Sequence, residues 1–437
     1  MIEARTFEYT TMNPDENLIL TPVRRLLILI FPVSILVDLL SGFFTVQLHI
    51  YIPVCQLLRI TIMACAVYLL TKRMNSILVW TTLLPLSFFI LAFPLWLIIC
   101  GIEPFNGYDL RMEIESFSKI LYFFIIVAFF IVYAREIKQL NPSKMISNYG
   151  LAIALAVIIS FFTGYGNHTY GADYGFGSKS YFKAGNDLSL TLLYAIVVSS
   201  LNLLSGFGWK RALITLAIST GGILVGSRVG LIGTALWLTI LVCYVVFIYR
   251  PADSRLQKRF ALYRPVIILG YAICVYEVIK FLMSAFDSYM LLKYTSESMM
   301  NARSPLTDPT VEYISNLEWY EFVFGKGVSS IYYYVAQSLG TFTTHRMIEA
   351  DIHELLGGYG LAGFIVIISP FVYFMIKAIK RFFTQPGFTL FAVIFVTASF
   401  LVLAYAAGHC LRNTMVAPIY AYIVSLLYYE KKRLVDK

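Results

Sequence analysis

The residues best equipped for chemistry in this chain stand together in Glu349-Ala350-Asp351-Ile352-His353-Glu354, directly ahead of Gly357-Gly358-Tyr359-Gly360. An imidazole beside carboxylates can accept a proton from a hydroxyl near neutral pH. If 349–356 is helical, i, i+4 spacing sets Glu349, His353 and Glu354 on one face. His353, Glu349 and Asp351 are therefore the candidate catalytic groups, with the general base open among them. A metal is the competing reading, because His345, Glu349 and His353 continue the same ladder with Asp351 beside it. The set lacks a strong metal-motif spacing, so neither a metal nor a cofactor is assigned.

Arg228 is the second chemical signal. The apolar run before it, 212–226, is too short to cross about 30 Å of hydrocarbon. The turn Gly226-Ser227-Arg228 is thus expected beneath the outer surface, facing a protein-lined cavity. A recessed guanidinium can grip a lipid diphosphate bidentately; an interfacial arginine reaching toward headgroups is the plainer alternative. Arg303, His409 and Arg412 are gathered with it as candidate diphosphate contacts. The last two fall in Gly408-His409-Cys410-Leu411-Arg412-Asn413, a short outer turn between the last two apolar runs.

These groups need elements to hold them, and the composition says which. Of 437 residues, 59% are hydrophobic and 14% charged, with a mean hydropathy of +0.74. That excludes an ordinary soluble domain. We read an all-α integral membrane protein with about twelve transmembrane helices, most of which reach the ~20 residues a bilayer requires while the two shortest, 149–163 and 212–226, do not. The expected spans are 26–46, 49–71, 77–101, 117–134, 149–163, 187–207, 212–226, 229–249, 265–286, 359–377, 387–408 and 413–428. The division is 1–286 as a membrane domain with nine spans, 287–358 as one large extracytoplasmic loop, and 359–437 as three more spans with a cytoplasmic C-terminus. The first apolar run is long enough to be retained rather than cleaved as a leader.

Most of the 34 Lys and Arg residues fall in segments that are cytoplasmic if the N-terminus is inside. The net charge of +9 is then largely topological and points to no nucleic acid. The cytoplasmic loops are short and carry no GxxxxGK loop and no paired-aspartate motif, which argues against an ATP-driven pump or a nucleotide-sugar synthase. The six cysteines lack metal spacing. Asp38 and Arg59 sit at similar depths in the first two spans and should pair; Glu277 and Lys280 are i, i+3 on the ninth. In the long loop, 311–324 is expected as one short interfacial helix, and Tyr332-Tyr333-Tyr334 as a second interfacial anchor. Trp319 and Tyr320 could stack on sugar faces, with interfacial anchoring the competing reading.

Several of these motifs, in order, resemble a known family. They are Gly177-Ser-Lys-Ser-Tyr-Phe-Lys-Ala-Gly185-Asn186-Asp187, Gly226-Ser-Arg228, Arg303, Trp319, Phe324-Gly325-Lys326-Gly327, Glu349 through Gly363, and Gly408-His409. Together they look like the Wzy-type O-antigen and capsule repeat-unit polymerases, which share a superfamily with the O-antigen ligases. The resemblance covers roughly residues 150–430.

It implies a metal-independent, GT-C-like membrane glycosyltransferase using an undecaprenyl-diphosphate-linked oligosaccharide at the outer face of the bacterial cytoplasmic membrane. Arg228 and Arg303 would hold the diphosphate, His353 would act near the acceptor, and Asn186, Trp319 and Tyr320 would contact glycan. Partners implied are the bilayer, a flippase and a chain-length regulator. Glu354 follows the histidine where ligases carry Asn, and the acidic Glu349-Ala350-Asp351 is more polymerase-like. A ligase remains the neighbouring expectation. A transporter would concentrate polar groups at the midplane and show repeat symmetry, whereas here they mass at the outer face. A scaffold without catalysis leaves the recessed Arg228 unexplained.

Overall fold

A computed structural model describes residues 14–50, 53–73, 109–169, 176–182, 184–206, 208–250, 254–285, 304–340, 345–348, 350–406, 408 and 410–429. Among them, eight helices are long and apolar enough to cross a membrane. The chain is an all-α multi-pass membrane protein. Shorter or more polar helices fill the expected spans at Trp209–Leu224, Ser254–Ala285 and Ala417–Tyr428. The expected span 77–101 lies outside the described residues.

In chain order, α1 (Pro14–Ile28) continues through a wide turn into α2 (Ser34–Gln47), followed by α3 (Val54–Thr71) and α4 (Leu110–Val132). Next come α5 (Ala134–Gln139), α6 (Pro142–Thr163), α7 (Gly185–Ser205), α8 (Trp209–Leu224), α9 (Thr234–Cys243) and α10 (Ser254–Ala285). Between α6 and α7, Asn167–His168 and Ser178–Ser180 form a small antiparallel hairpin.

Two expectations about length are settled differently. The run 149–163 is not a short span, because α6 begins at Pro142. Proline at the first helical position suits an N-terminus, and Ser143, Lys144, Ser147 and Asn148 hid those turns from hydropathy. The run before Arg228 does stay short. Helix α8 has 16 residues, about 24 Å at ~1.5 Å per residue.

The core is aromatic. Phe123 of α4 meets Phe371, Phe400 and Tyr420 at ring separations of 5.6, 5.3 and 5.5 Å, and Phe371 stacks on Phe400 at 4.6 Å. Such contacts add to simple area burial. Near the middle of the first two expected spans, Arg59 pairs with Asp38 at 3.5 Å, as their matched depths imply.

The long loop is not one interfacial helix plus an anchor. It holds α11 (Ser304–Ser315), α12 (Trp319–Phe324) and α13 (Val328–Ser338). The break at 316–318 arises because Glu318 and Glu321 form a reciprocal capping box that starts a new helix. Tyr332 is 1% exposed, so it is core and not an anchor; burial pushes its phenol up to about 12. The loop ends in α14 (Asp351–Thr384), which is two helices meeting at Gly360, where φ is +67° and ψ −176°. Helices α15 (Phe388–Ala406) and α16 (Ala417–Ser425) complete the bundle.

Candidate functional site

The first half of α14 is held between the loop helices and the turn that joins α15 to α16. Its first residue, Asp351, is 3% exposed. One carboxylate oxygen accepts the backbone N–H of Cys410 at 2.6 Å and of Leu411 at 3.0 Å. This charge-assisted clamp ties the loop to the turn at 408–413. One turn later, Glu354 and Arg412 form an ion pair across the same joint, with side-chain exposures of 2% and 8%. Arg412 also donates to the Tyr332 hydroxyl at 2.5 Å, which brings α13 into the assembly.

His353 lies between these two clamps in sequence but points elsewhere. It is half-buried, its ring 5.9 Å from that of Tyr405. Its Nδ1 is buried and has no hydrogen-bond partner among the described residues. That nitrogen is not committed to another described side chain.

The expected helical ladder is not formed. Helix α14 starts at Asp351, and Ala350 ahead of it is extended, with φ −152° and ψ 96°. Residues 345–348 are not helical either, so His345 and His353 do not share a helix face. The reason is Asp351: its carboxylate is drawn to the amides of Cys410 and Leu411, which overrides the helix propensity of the preceding residues. Glu349, Arg303 and His409 lie outside the described residues. Among the described residues, no group of three or more His, Cys, Asp or Glu is arranged to hold a metal.

The start of α7 connects Arg412 and Arg228. Asn413 donates through Nδ2 to the Asp187 carbonyl at 2.9 Å. In the same first turns, Ser189 accepts the Ser227 hydroxyl at 2.6 Å. Asn186 is half-buried beside them. The turn before Arg228 is tight because Gly226 has φ +74°; a Cβ there would sit 2.9 Å from Gly177 Cα. Thr169 closes the contact by donating to the Val225 carbonyl at 2.6 Å. Ser227 is 1% exposed and Arg228 is half-buried. The two arginine-bearing turns thus share one end of α7.

Trp319 is 74% exposed on α12, with its ring 5.8 Å from that of Tyr320. Two features were missed by sequence reasoning. Glu354 was placed on one helix face with Glu349 and His353 but given no partner, although it makes the buried pair. Glu113, in the first turn of α4, is 6% exposed and binds Ser329; no sequence pattern connects residues so far apart.

Comparison with protein families places residues 22–295 in a match to O-antigen ligase like membrane proteins. The match begins in the first spans, earlier than the motif resemblance, and ends at residue 295, just inside the long loop. No curated protein matches the chain. The matched region is well over half of the 437 residues, and the chain belongs to the O-antigen ligase-like membrane protein family.

Proposed function

We propose that this chain polymerises undecaprenyl-diphosphate-linked oligosaccharide repeat units into surface polysaccharide, at the outer face of the bacterial cytoplasmic membrane. Family membership supports a membrane enzyme of polysaccharide assembly. The observation that carries the finer reading is His353. It is held by a clamp on either side, with one ring nitrogen free of any hydrogen bond to the described residues.

In this reading His353 takes the proton of an acceptor sugar hydroxyl as its oxygen attacks the anomeric carbon of the donor. The bond from that carbon to the diphosphate breaks, and its electron pair leaves on the diphosphate. Arg228 and Arg303 meet the charge that grows there, an interaction that strengthens in the transition state. A single displacement inverts the anomeric carbon. Asp351 serves better as a clamp than as a base, because one of its oxygens already accepts two amides. Glu349 remains the second candidate base. The pairing of Arg412 with Glu354 supports a positioning role for Arg412, and His409 is a candidate diphosphate contact. Asn186, Trp319 and Tyr320 are the glycan contacts.

The name of the matched family favours a second reading, a ligase that moves finished glycan to another acceptor. Glycan length in a deletion strain complemented with wild type, Arg228→Ala or His353→Ala separates the two. Single repeats in the deletion, with no ladder restored by either variant, are expected for the polymerase. Long polymer stranded on its lipid carrier would establish the ligase. Full ladders from both variants would overturn the site.

A further inference from the structure

Glu113 lies in the first turn of α4, a membrane helix, yet its partners are in the long loop. Its Oε1 accepts both the backbone N–H of Ser329 at 2.7 Å and the Ser329 hydroxyl at 2.8 Å. Ser329 is fully buried, and these bonds serve the N-terminus of α13, where a negative charge is favoured. A carboxylate buried this deeply is costly unless such donors meet it.

The segment it holds is the one that fits against the His353 helix. Gly327 donates to the Gly358 carbonyl at 2.8 Å. A Cβ on Gly325 would fall 2.3 Å from that same carbonyl oxygen, and one on Gly327 would fall 2.6 Å from Glu113 Oε1. The Glu113 carboxylate therefore lies directly on the Gly327 backbone, and the backbone of 325–327 directly on that of Gly358. One turn along α4, Ser116 accepts the Tyr359 hydroxyl at 3.4 Å. Both contacts bear on the last turn of the short helix that carries His353, about 7.5 Å away at ~1.5 Å per residue.

We propose that Glu113 is a positioning residue for His353, acting through the 325–329 segment and the glycine contact at Gly358. It touches no reacting atom. It fixes where the end of the His353 helix sits, and the helix, rigid over so short a length, fixes the imidazole. The effect on turnover rests on the reading of His353 as the proton acceptor; the effect on imidazole placement does not.

The test uses the full chain in lipid nanodiscs with Glu113→Gln, Glu113→Asp and Glu113→Ala. Diethyl pyrocarbonate modification of His353 is followed by mass spectrometry, with His345 as the internal reference. Turnover is measured on a lipid-diphosphate-linked repeat unit. Gln keeps the acceptor oxygen and is expected to stay near wild type in both. Asp, one methylene shorter, and Ala should change His353 labelling by about threefold or more and lower kcat about 10- to 100-fold, with KM little changed. His345 labelling should not move.

Wild-type His353 labelling in a folded Asp or Ala variant overturns the proposal, and where Ala does not fold the Asp variant decides. A raised KM with kcat intact also overturns it, because it would mean direct substrate contact. Labelling that shifts while His353→Ala retains full turnover would sink the acid–base reading and leave the positioning intact.

Discussion

Arg412 reaches from the turn between the last two membrane helices to Glu354 on the loop, and the pair they form is almost sealed from solvent. Removing one member of such a pair strands a buried charge, at a cost of about 3–5 kcal/mol, whereas replacing both is far milder. Glu354→Ala and Arg412→Ala should each lower the thermal midpoint of the purified full-length protein. The double variant with two methionines should recover most of that loss, and a loss equal to the sum of the singles would deny the pairing.

His353 and Asp351 are two residues apart and should fail differently. The described residues give the His353 Nδ1 no partner, so His353→Ala should leave the thermal midpoint nearly unchanged. Turnover should fall about 10²- to 10⁴-fold, the range for loss of a general base. Asp351→Ala frees the buried amides of Cys410 and Leu411, at about 1–3 kcal/mol for each donor left without a partner. Its activity loss should therefore track unfolding. A stable Asp351→Ala protein without activity would instead place Asp351 in the chemistry.

The contrast between these two residues shows where sequence was legible. The spans could be placed because each is a continuous apolar run, and the Asp38–Arg59 pair because both sit at one depth. His353 could be singled out because an ionisable group at a membrane mouth is expensive unless used. The start of its helix could not be read. Ala350 is a good helix former, and only the amides of Cys410 and Leu411, contributed by a distant turn, hold Asp351 as the first helical residue with Ala350 extended ahead of it. Tyr332 misled for a related reason: three tyrosines look like an interfacial anchor until Arg412 supplies a buried partner for the hydroxyl.

Gly360 should tolerate no side chain. Its φ of +67° is strained for any other residue, and a Cβ would fall 2.4 Å from the Gly325 nitrogen and 2.6 Å from the Val323 carbonyl oxygen. Gly360→Ala should cost about 1–3 kcal/mol from backbone strain and about 1–3 kcal/mol more from overpacking. Gly387→Ala is the matched control, since nothing lies within 4 Å of a Cβ there. Thermal midpoints that fall equally in both would contradict the close crossing of the Phe324–Gly327 turn over α14.

Trp319 separates glycan contact from membrane anchoring. At 74% exposure it makes little contribution to packing, so Trp319→Ala should change stability by no more than about 0.5 kcal/mol. A sugar face stacked on the indole is worth about 1 kcal/mol, which is about fivefold in KM. That loss should be the same in detergent micelles and in nanodiscs, because the sugar is present in both. Trp319→Phe keeps a ring for stacking but loses the indole N–H that favours the bilayer interface. A glycan contact therefore predicts partial rescue by Phe in either medium. An anchor predicts no rescue, and a defect confined to the bilayer.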